Sequence, residues 1–335
     1  MKLGLSQASY RWVAYPWLRT DSATYRYSTG RLPYFESVEP PERADDLPGW
    51  MIERARVHGL TALYMDPGWF KDEAGAGRFG DVMRDAGIEY FGIAVPDLPA
   101  DADAWGATDM AARRAARDAT SYRLAETANG WSGGTEFQRC VRAIELSAAA
   151  GATIVNVVHR EAGLRHRFID DPPLAQQIDA MIRNLTSLIP IAEELGIVLT
   201  TESHMDYRVA DYVQVMDAVA SPWLRHNFDF VNSISVVEDP LDAARLAAPY
   251  TVMTHIKDMR VQPYTLIGEP RFFNTPIGDG VVPVLEILDV LQQGAPDPDN
   301  LQHCVEVLAP PEHDAEAWIV ASLNWLREHA APYFA

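Results

Sequence analysis

AEELGIVLTTE, residues Ala192 to Glu202, is the stretch on which the reading of the chain turns. It is the tail of an amphipathic helix, a glycine, a β-branched apolar run and then an acid. Gly196 stands where a helix must close in a left-handed residue before the chain reverses into a strand. The same phrase recurs as RARVHG-LTALYM from Arg54, VMRDAG-IEYFGI from Val82 and LSAAAG-ATIVNV from Leu146, with Gly59, Gly87 and Gly151 at the joints. Helix and strand alternating in this way demand a parallel sheet with right-handed crossovers.

Outward from these phrases the strands can be counted. Candidates lie at Leu3–Leu5, Leu60–Met65, Ile88–Val95, Thr153–Val158, Ile197–Thr201, His226–Phe230, Val252–Ile256 and His303–Leu308, with a last helix at Ala315–Glu328. Eight βα units, with no GxGxxG after the first strand, argue for a closed (β/α)8 TIM barrel rather than an open doubly wound sheet. At 335 residues the chain exceeds the roughly 250 that one barrel needs and falls short of two, so residues 1–335 read as a single domain. The surplus sits in two βα connections on the face where barrel active sites form. Arg19–Pro48 follows strand one and carries Tyr25, Tyr27, Tyr34 and Phe35; Asp97–Gly134 follows strand three and carries Trp105 and Trp131. These aromatics either anchor long loops or shape a pocket.

Composition bounds the function. A formal charge of −19 repels phosphodiester backbones, and the basic stretches at Arg113, Arg114 and Arg117 and at His159 to Arg167 are short, so no nucleic-acid partner is expected. Cys140 and Cys304 lie far apart in apolar surroundings and read as core residues. No signal peptide is visible and no run approaches a membrane span, so a soluble cytoplasmic protein with no membrane partner is expected.

Strands five to eight each deliver a polar residue at the C-terminal end: Glu202 in VLTTESH, Asp229 in HNFDFVN, His255 in VMTHIKD and Glu306 in HCVEVLA. Alternate side chains of a strand face opposite sides. Phe228 and Phe230 flank Asp229, Thr254 and Ile256 flank His255, and Val305 and Val307 flank Glu306, so the polar residue faces the barrel axis each time. A single such residue is more often a cap, a salt-bridge partner or a satisfied core histidine. Three carboxylates converging in a low-dielectric barrel mouth, however, repel strongly without a cation. A divalent ion resolves this, and the oxygen-rich set with one imidazole suits a hard to borderline ion such as Mn²⁺, Mg²⁺ or Co²⁺. Three carboxylates exceed the ion's charge by one, which would leave a glutamate able to act as a base.

The order Glu–Asp–His–Glu, the HIKD phrase at His255–Asp258 and the IGDG at Ile277–Gly280 resemble the sugar isomerase/epimerase superfamily of xylose-isomerase-like barrels. The resemblance implies that Glu202, Asp229, His255 and Glu306 bind a catalytic metal. That metal chelates a sugar carbonyl and a neighbouring hydroxyl and stabilises the enediolate formed when the adjacent proton is removed. In ketose 3-epimerases of this group two metal-bound glutamates, here Glu202 and Glu306 by position, shuttle the proton. The sequence departs from them: Asn232 stands where they carry a histidine, and Lys257, Asp258 and Arg260 follow the strand-seven histidine. HIKD is nearer the inosose-dehydratase-like branch. Strand four ends in VVHRE, and a histidine there, His159, resembles the base of the large subunit of C-glycoside deglycosidases, lyases that cleave a 3-oxo-glycosyl carbon–carbon bond. His159 reads equally as a hydrogen-bonded loop residue.

The expected enzyme is therefore a metal-dependent carbohydrate lyase acting on a 3-oxo-glycoside, with a ketose 3-epimerase, sugar isomerase or inosose-dehydratase-like enzyme as the alternative. His159, Glu202 and Glu306 are its catalytic candidates, and His204, Asn232, Lys257 and Arg260 its substrate contacts. The partner is a small sugar or glycoside, unphosphorylated because no glycine-rich cradle is evident. A homo-oligomer or a small second subunit is compatible with the resemblance. An apurinic endonuclease would need a trinuclear zinc site and a basic face, and a non-catalytic sugar-binding barrel would be expected to have lost a ligand.

Overall fold

The structure is a computed structural model, and the residues it describes are 3–11, 37–39, 41, 46–94, 135–158, 167–168, 173–263, 268, 270–310 and 312–334. The insertion aromatics, Arg113, Arg114, Arg117 and His159 lie outside the described residues.

The strands are β1 (Gly4–Ser6), β2 (Ala62–Met65), β3 (Glu89–Ala94), β4 (Ile154–Val157), β5 (Val198–Glu202), β6 (Leu224–Asp229), β7 (Thr251–Ile256), β8 (Asp258–Pro263), β9 (Pro270–Thr275) and β10 (Gln302–Val305). The helices are α1 (Leu47–Val57), α2 (Glu73–Asp85), α3 (Thr135–Ala149), α4 (Leu174–Leu195), α5 (Val209–Val219), α6 (Asn232–Ser235), α7 (Pro240–Ala247), α8 (Val284–Gly294) and α9 (Ala315–His329). Eight strands close in the order β1-β10-β7-β6-β5-β4-β3-β2, every pair parallel. This is the (β/α)8 TIM barrel that the repeated helix–glycine–strand phrase implies. Gly59, Gly87, Gly151 and Gly196 all have positive φ, between 64° and 85°, as the joints require.

Two cores result. Outside the barrel, helix faces pack on the strands; α4 contributes Ile178, Met181, Leu185, Leu188 and Ala192, a helical stripe. Phe228, Phe230, Ile256, Val305 and Val307, the apolar neighbours of the polar strand-end residues, belong to this outer core. Inside, Ala62, Tyr64, Phe91, Ile154, Met253 and Cys304 plug the barrel. Cys140 and Cys304 are both buried. No helix among the described residues is long and apolar enough to cross a membrane.

One element had no counterpart in the sequence reading. Between β7 and α8 the chain forms an antiparallel hairpin, β8–β9, with Asp258 opposite Thr275 and Arg260 opposite Phe273. Its root is fixed by Asp258, whose carboxylate accepts from the backbone N–H of Met259, Gly278, Gly280 and Val282 at 2.8–3.2 Å. A Cβ on Gly280 would stand 1.9 Å from Asp258 Oδ1 and 2.4 Å from the Met259 carbonyl, which is why IGDG follows HIKD. The two phrases form a structural latch between the end of β7 and the loop before α8.

Candidate metal centre

Glu202 and Asp229 are the last residues of β5 and β6, His255 is the last but one of β7, and Glu306 follows β10 directly, its N–H donating to the Ile256 carbonyl (3.1 Å). All four are at most 6% exposed. One oxygen of each carboxylate approaches the His255 imidazole. His255 Nδ1 lies 3.3 Å from Glu202 Oε1, 3.7 Å from Asp229 Oδ2 and 3.7 Å from Glu306 Oε2. Ligand atoms of Glu202, Asp229 and His255 all fall within 4.8 Å of one another, a group that does not include Glu306.

The opposite atom of each carboxylate is held. Glu202 Oε2 accepts from Asn156 Nδ2 (2.7 Å), Asp229 Oδ1 from the N–H groups of Val231 (2.9 Å) and Asn232 (3.0 Å), and Glu306 Oε1 from Ser6 Oγ (2.7 Å). Ser9 Oγ brackets the Glu306 backbone, donating to the Val305 carbonyl (3.2 Å) and accepting from Val307 N–H (3.0 Å). His255 Nε2 lies 3.2 Å from Asn227 Nδ2. Asn227 Oδ1 has no hydrogen-bond partner among the described residues, so with the amide turned over it would accept from Nε2–H and leave Nδ1 as a bare donor atom. Nδ1 itself is buried and makes no hydrogen bond among the described residues. The buried nitrogen and the carboxylates of Glu202 and Asp229 form a group of the kind that holds a divalent metal ion.

Lys257, a candidate substrate contact, is held by the carboxylates. Its Nζ is 2.6 Å from Asp229 Oδ2 and in contact with Glu306 Oε2. This corrects the charge count, because three carboxylates and one ammonium leave two negative charges, which one dication balances. The field is strong. Burial pushes the His255 imidazole down, but Glu306 and Glu202 outweigh it and raise it to about 10. Burial likewise opposes the charged Lys257, and Asp229 and Glu306 overcome it, holding the ammonium above its ordinary value. Burial would raise Glu202 and Asp229, but His255 holds the first, and Lys257 the second, below the usual carboxylate range.

The other candidates divide. Asn232 joins the cluster, buried, with Nδ2 3.5 Å from Glu202 Oε1. His204 stands next to it at the mouth, its Nδ1 3.5 Å from Asp206 Oδ2. Arg260 is not brought to the cluster. It is exposed on the hairpin, donates to the Asp279 carbonyl (2.9 Å) and lines a half-open cleft of about 390 Å³ beside Phe273, His313 and Trp318, which contains none of the four converging residues. The sequence reading missed Asn156, Ser6 and Asn227. Asn156 had a signal: a lone amide between Val155 and Val157 in an otherwise apolar strand.

A family model described as xylose isomerase-like TIM barrel matches residues 80–329. The 3-oxo-isoapionate decarboxylase of Pectobacterium atrosepticum is 28% identical over 156 residues, 44% of this chain and 55% of that protein. The chain thus spans about half the length of this relative, and 20% of another curated one. A xylose isomerase-like TIM barrel protein from Mycobacterium smegmatis, in complex with magnesium, superposes with a TM-score of 0.59 at 16% identity over 88% of this chain and 91% of that one. A D-tagatose 3-epimerase-like protein superposes with a TM-score of 0.59 at 14% identity over 99% and 98%. At such identities the superpositions show the fold alone.

Proposed function

The chain belongs to the xylose isomerase-like TIM barrel family, and on that premise we propose that it is a metal-dependent carbohydrate enzyme whose divalent ion, Mn²⁺ before Mg²⁺ or Co²⁺, is held by Glu202, Asp229, His255 and Glu306. The observation that carries this reading is the division of labour within each carboxylate: one oxygen held by a hydrogen bond, the other aimed at His255 Nδ1. When bound, the ion would supply Lewis-acid polarisation of a substrate carbonyl, making the neighbouring carbon-bound proton removable.

The residues around it favour a lyase over a two-base epimerase. Epimerisation by paired glutamates requires each to take up and return a proton. Here Glu202 has Oε2 on Asn156 and Oε1 at the ligand point, and Glu306 has Oε1 on Ser6 and Oε2 on Lys257. Proton uptake by either glutamate would have to displace one of these partners. A separate base then takes the proton, and His159, following β4, is the candidate, with a side chain suited to transfer near neutrality. Lys257 has a third N–H beyond its two carboxylates to offer a substrate oxygen, and Asn232 and His204 line the approach. The substrate class is a 3-oxo-sugar or its glycoside. The partial relative supports it, since by its name it removes a carboxyl group from a 3-oxo compound. A small second subunit, or a homo-oligomer, belongs to the same reading.

The test is product analysis in D2O with the metal-loaded protein, offered a 3-oxo-glycoside and a free ketose. A released aglycone with deuterium exchange beside the oxo group supports the lyase. A stereoisomer of equal mass from the ketose refutes it in favour of an epimerase, and loss of water points to the dehydratase branch. His159→Ala is expected to abolish exchange while metal content stays intact; retained exchange removes His159 from the mechanism.

A further inference from the structure

Behind the ligands lies a polar chain that crosses the barrel interior and that the reaction does not itself use. Asn156 on β4 is completely buried. Its amide is fully committed: Nδ2 donates to Glu202 Oε2 (2.7 Å) and to Tyr64 Oη (2.8 Å), and Oδ1 accepts from Thr200 Oγ1 (3.0 Å). The reverse orientation would set the amide oxygen against a carboxylate oxygen, so the network allows only one. Tyr64 comes from β2, two strands away, and its ring packs on the His255 ring with centroids 4.6 Å apart and planes tilted by 57°. One amide therefore ties β2, β4 and β5 together beneath the ligand point, and the tyrosine that anchors it also braces the imidazole on β7.

We propose that Asn156, backed by Tyr64, is the positioning residue that fixes Glu202 as a metal ligand and sets the affinity of the centre; this rests on the metal reading given above. Glu202 has three rotatable side-chain bonds and two equivalent oxygens. With Oε2 held by a charge-assisted N–H donor, Oε1 is the atom left facing His255 Nδ1. Without that donor a buried carboxylate oxygen loses its partner, and the side chain is free to turn so that neither oxygen sits at the ligand point. Outer partners of metal ligands are typically worth roughly 10- to 100-fold in affinity. A buried amide that served packing alone would instead lower the stability of chelated and loaded protein equally, leaving the dissociation constant unchanged.

The experiment measures the Mn²⁺ dissociation constant by electron paramagnetic resonance of free Mn²⁺, alongside thermal unfolding with and without chelator. It uses wild-type protein, Asn156→Leu and Tyr64→Phe. Asn156→Leu is expected to weaken Mn²⁺ by roughly 10- to 100-fold, and Tyr64→Phe, which keeps the ring on His255 but removes the hydroxyl, by a smaller factor in the same direction. Should Asn156→Leu not fold, Tyr64→Phe alone decides. Dissociation constants equal to wild type in the folded variants overturn the proposal, even if unfolding temperatures fall. A wild-type protein that binds no Mn²⁺ is a different failure, seen before any variant is made, and it ends the metal reading together with this one.

Discussion

Lys257→Met removes an ammonium that lies 2.6 Å from Asp229 Oδ2 and against Glu306 Oε2, both almost wholly buried. At 2.6 Å and an effective dielectric near 20, the attraction to Asp229 alone is about 6 kcal/mol. Desolvation of the three ions takes back much of that. The cost of leaving buried charges unpaired, about 3–5 kcal/mol, is the better guide. Methionine keeps the volume of the lysine stem, so packing contributes little. At about 2 °C per kcal/mol, the lower end for larger domains, the chelated variant should unfold roughly 6–10 °C below wild type. The assay is calorimetric unfolding with excess chelator and again with Mn²⁺. Metal supplies positive charge to the same oxygens, so the deficit should shrink on loading. A chelated variant that unfolds within about 1 °C of wild type would refute the placement of Lys257 in the charge balance.

Further outcomes follow from other groups. Burial lowers His226, which is completely buried, to about 4. The folded state keeps the imidazole neutral while the unfolded chain protonates near 6.5, so this group costs stability as pH falls from about 6.5 towards 4. His226→Phe should therefore gain about 2 kcal/mol on wild type between pH 7.5 and pH 5 in urea unfolding; an unchanged gap would contradict it. Gly280→Ala forces a Cβ onto Asp258 and the Met259 carbonyl and should destabilise by about 1–3 kcal/mol or more, measured the same way. Glu306→Gln should lose most metal affinity and turnover, and a variant that binds and turns over like wild type would remove Glu306 from the ligand set.

The barrel was legible because its grammar is local: a helix stripe, a left-handed glycine and a β-branched run are adjacent in sequence. The converging residues were legible by strand parity, since Phe228 and Phe230 could only face the helices and so turned Asp229 inward. What bound them was not. Asn156, Ser6 and Asn227 reach their carboxylate or imidazole from other strands, at contacts set by barrel closure rather than by spacing. Lys257 shares parity with His255, which showed that it points inward but not that Asp229 and Glu306 would hold it. Arg260 reads as a substrate contact because it follows His255, whereas a hairpin anchored by Asp258 carries it away.

The most direct measurement is the metal content of the purified, extensively dialysed protein, by elemental analysis and Mn²⁺ titration, beside Asp229→Asn and His255→Ala. One tightly held divalent ion per chain in wild type, lost from both variants, is the expected result. A wild-type chain that neither retains nor takes up a divalent ion, or variants that hold it as firmly, would contradict the account at its centre.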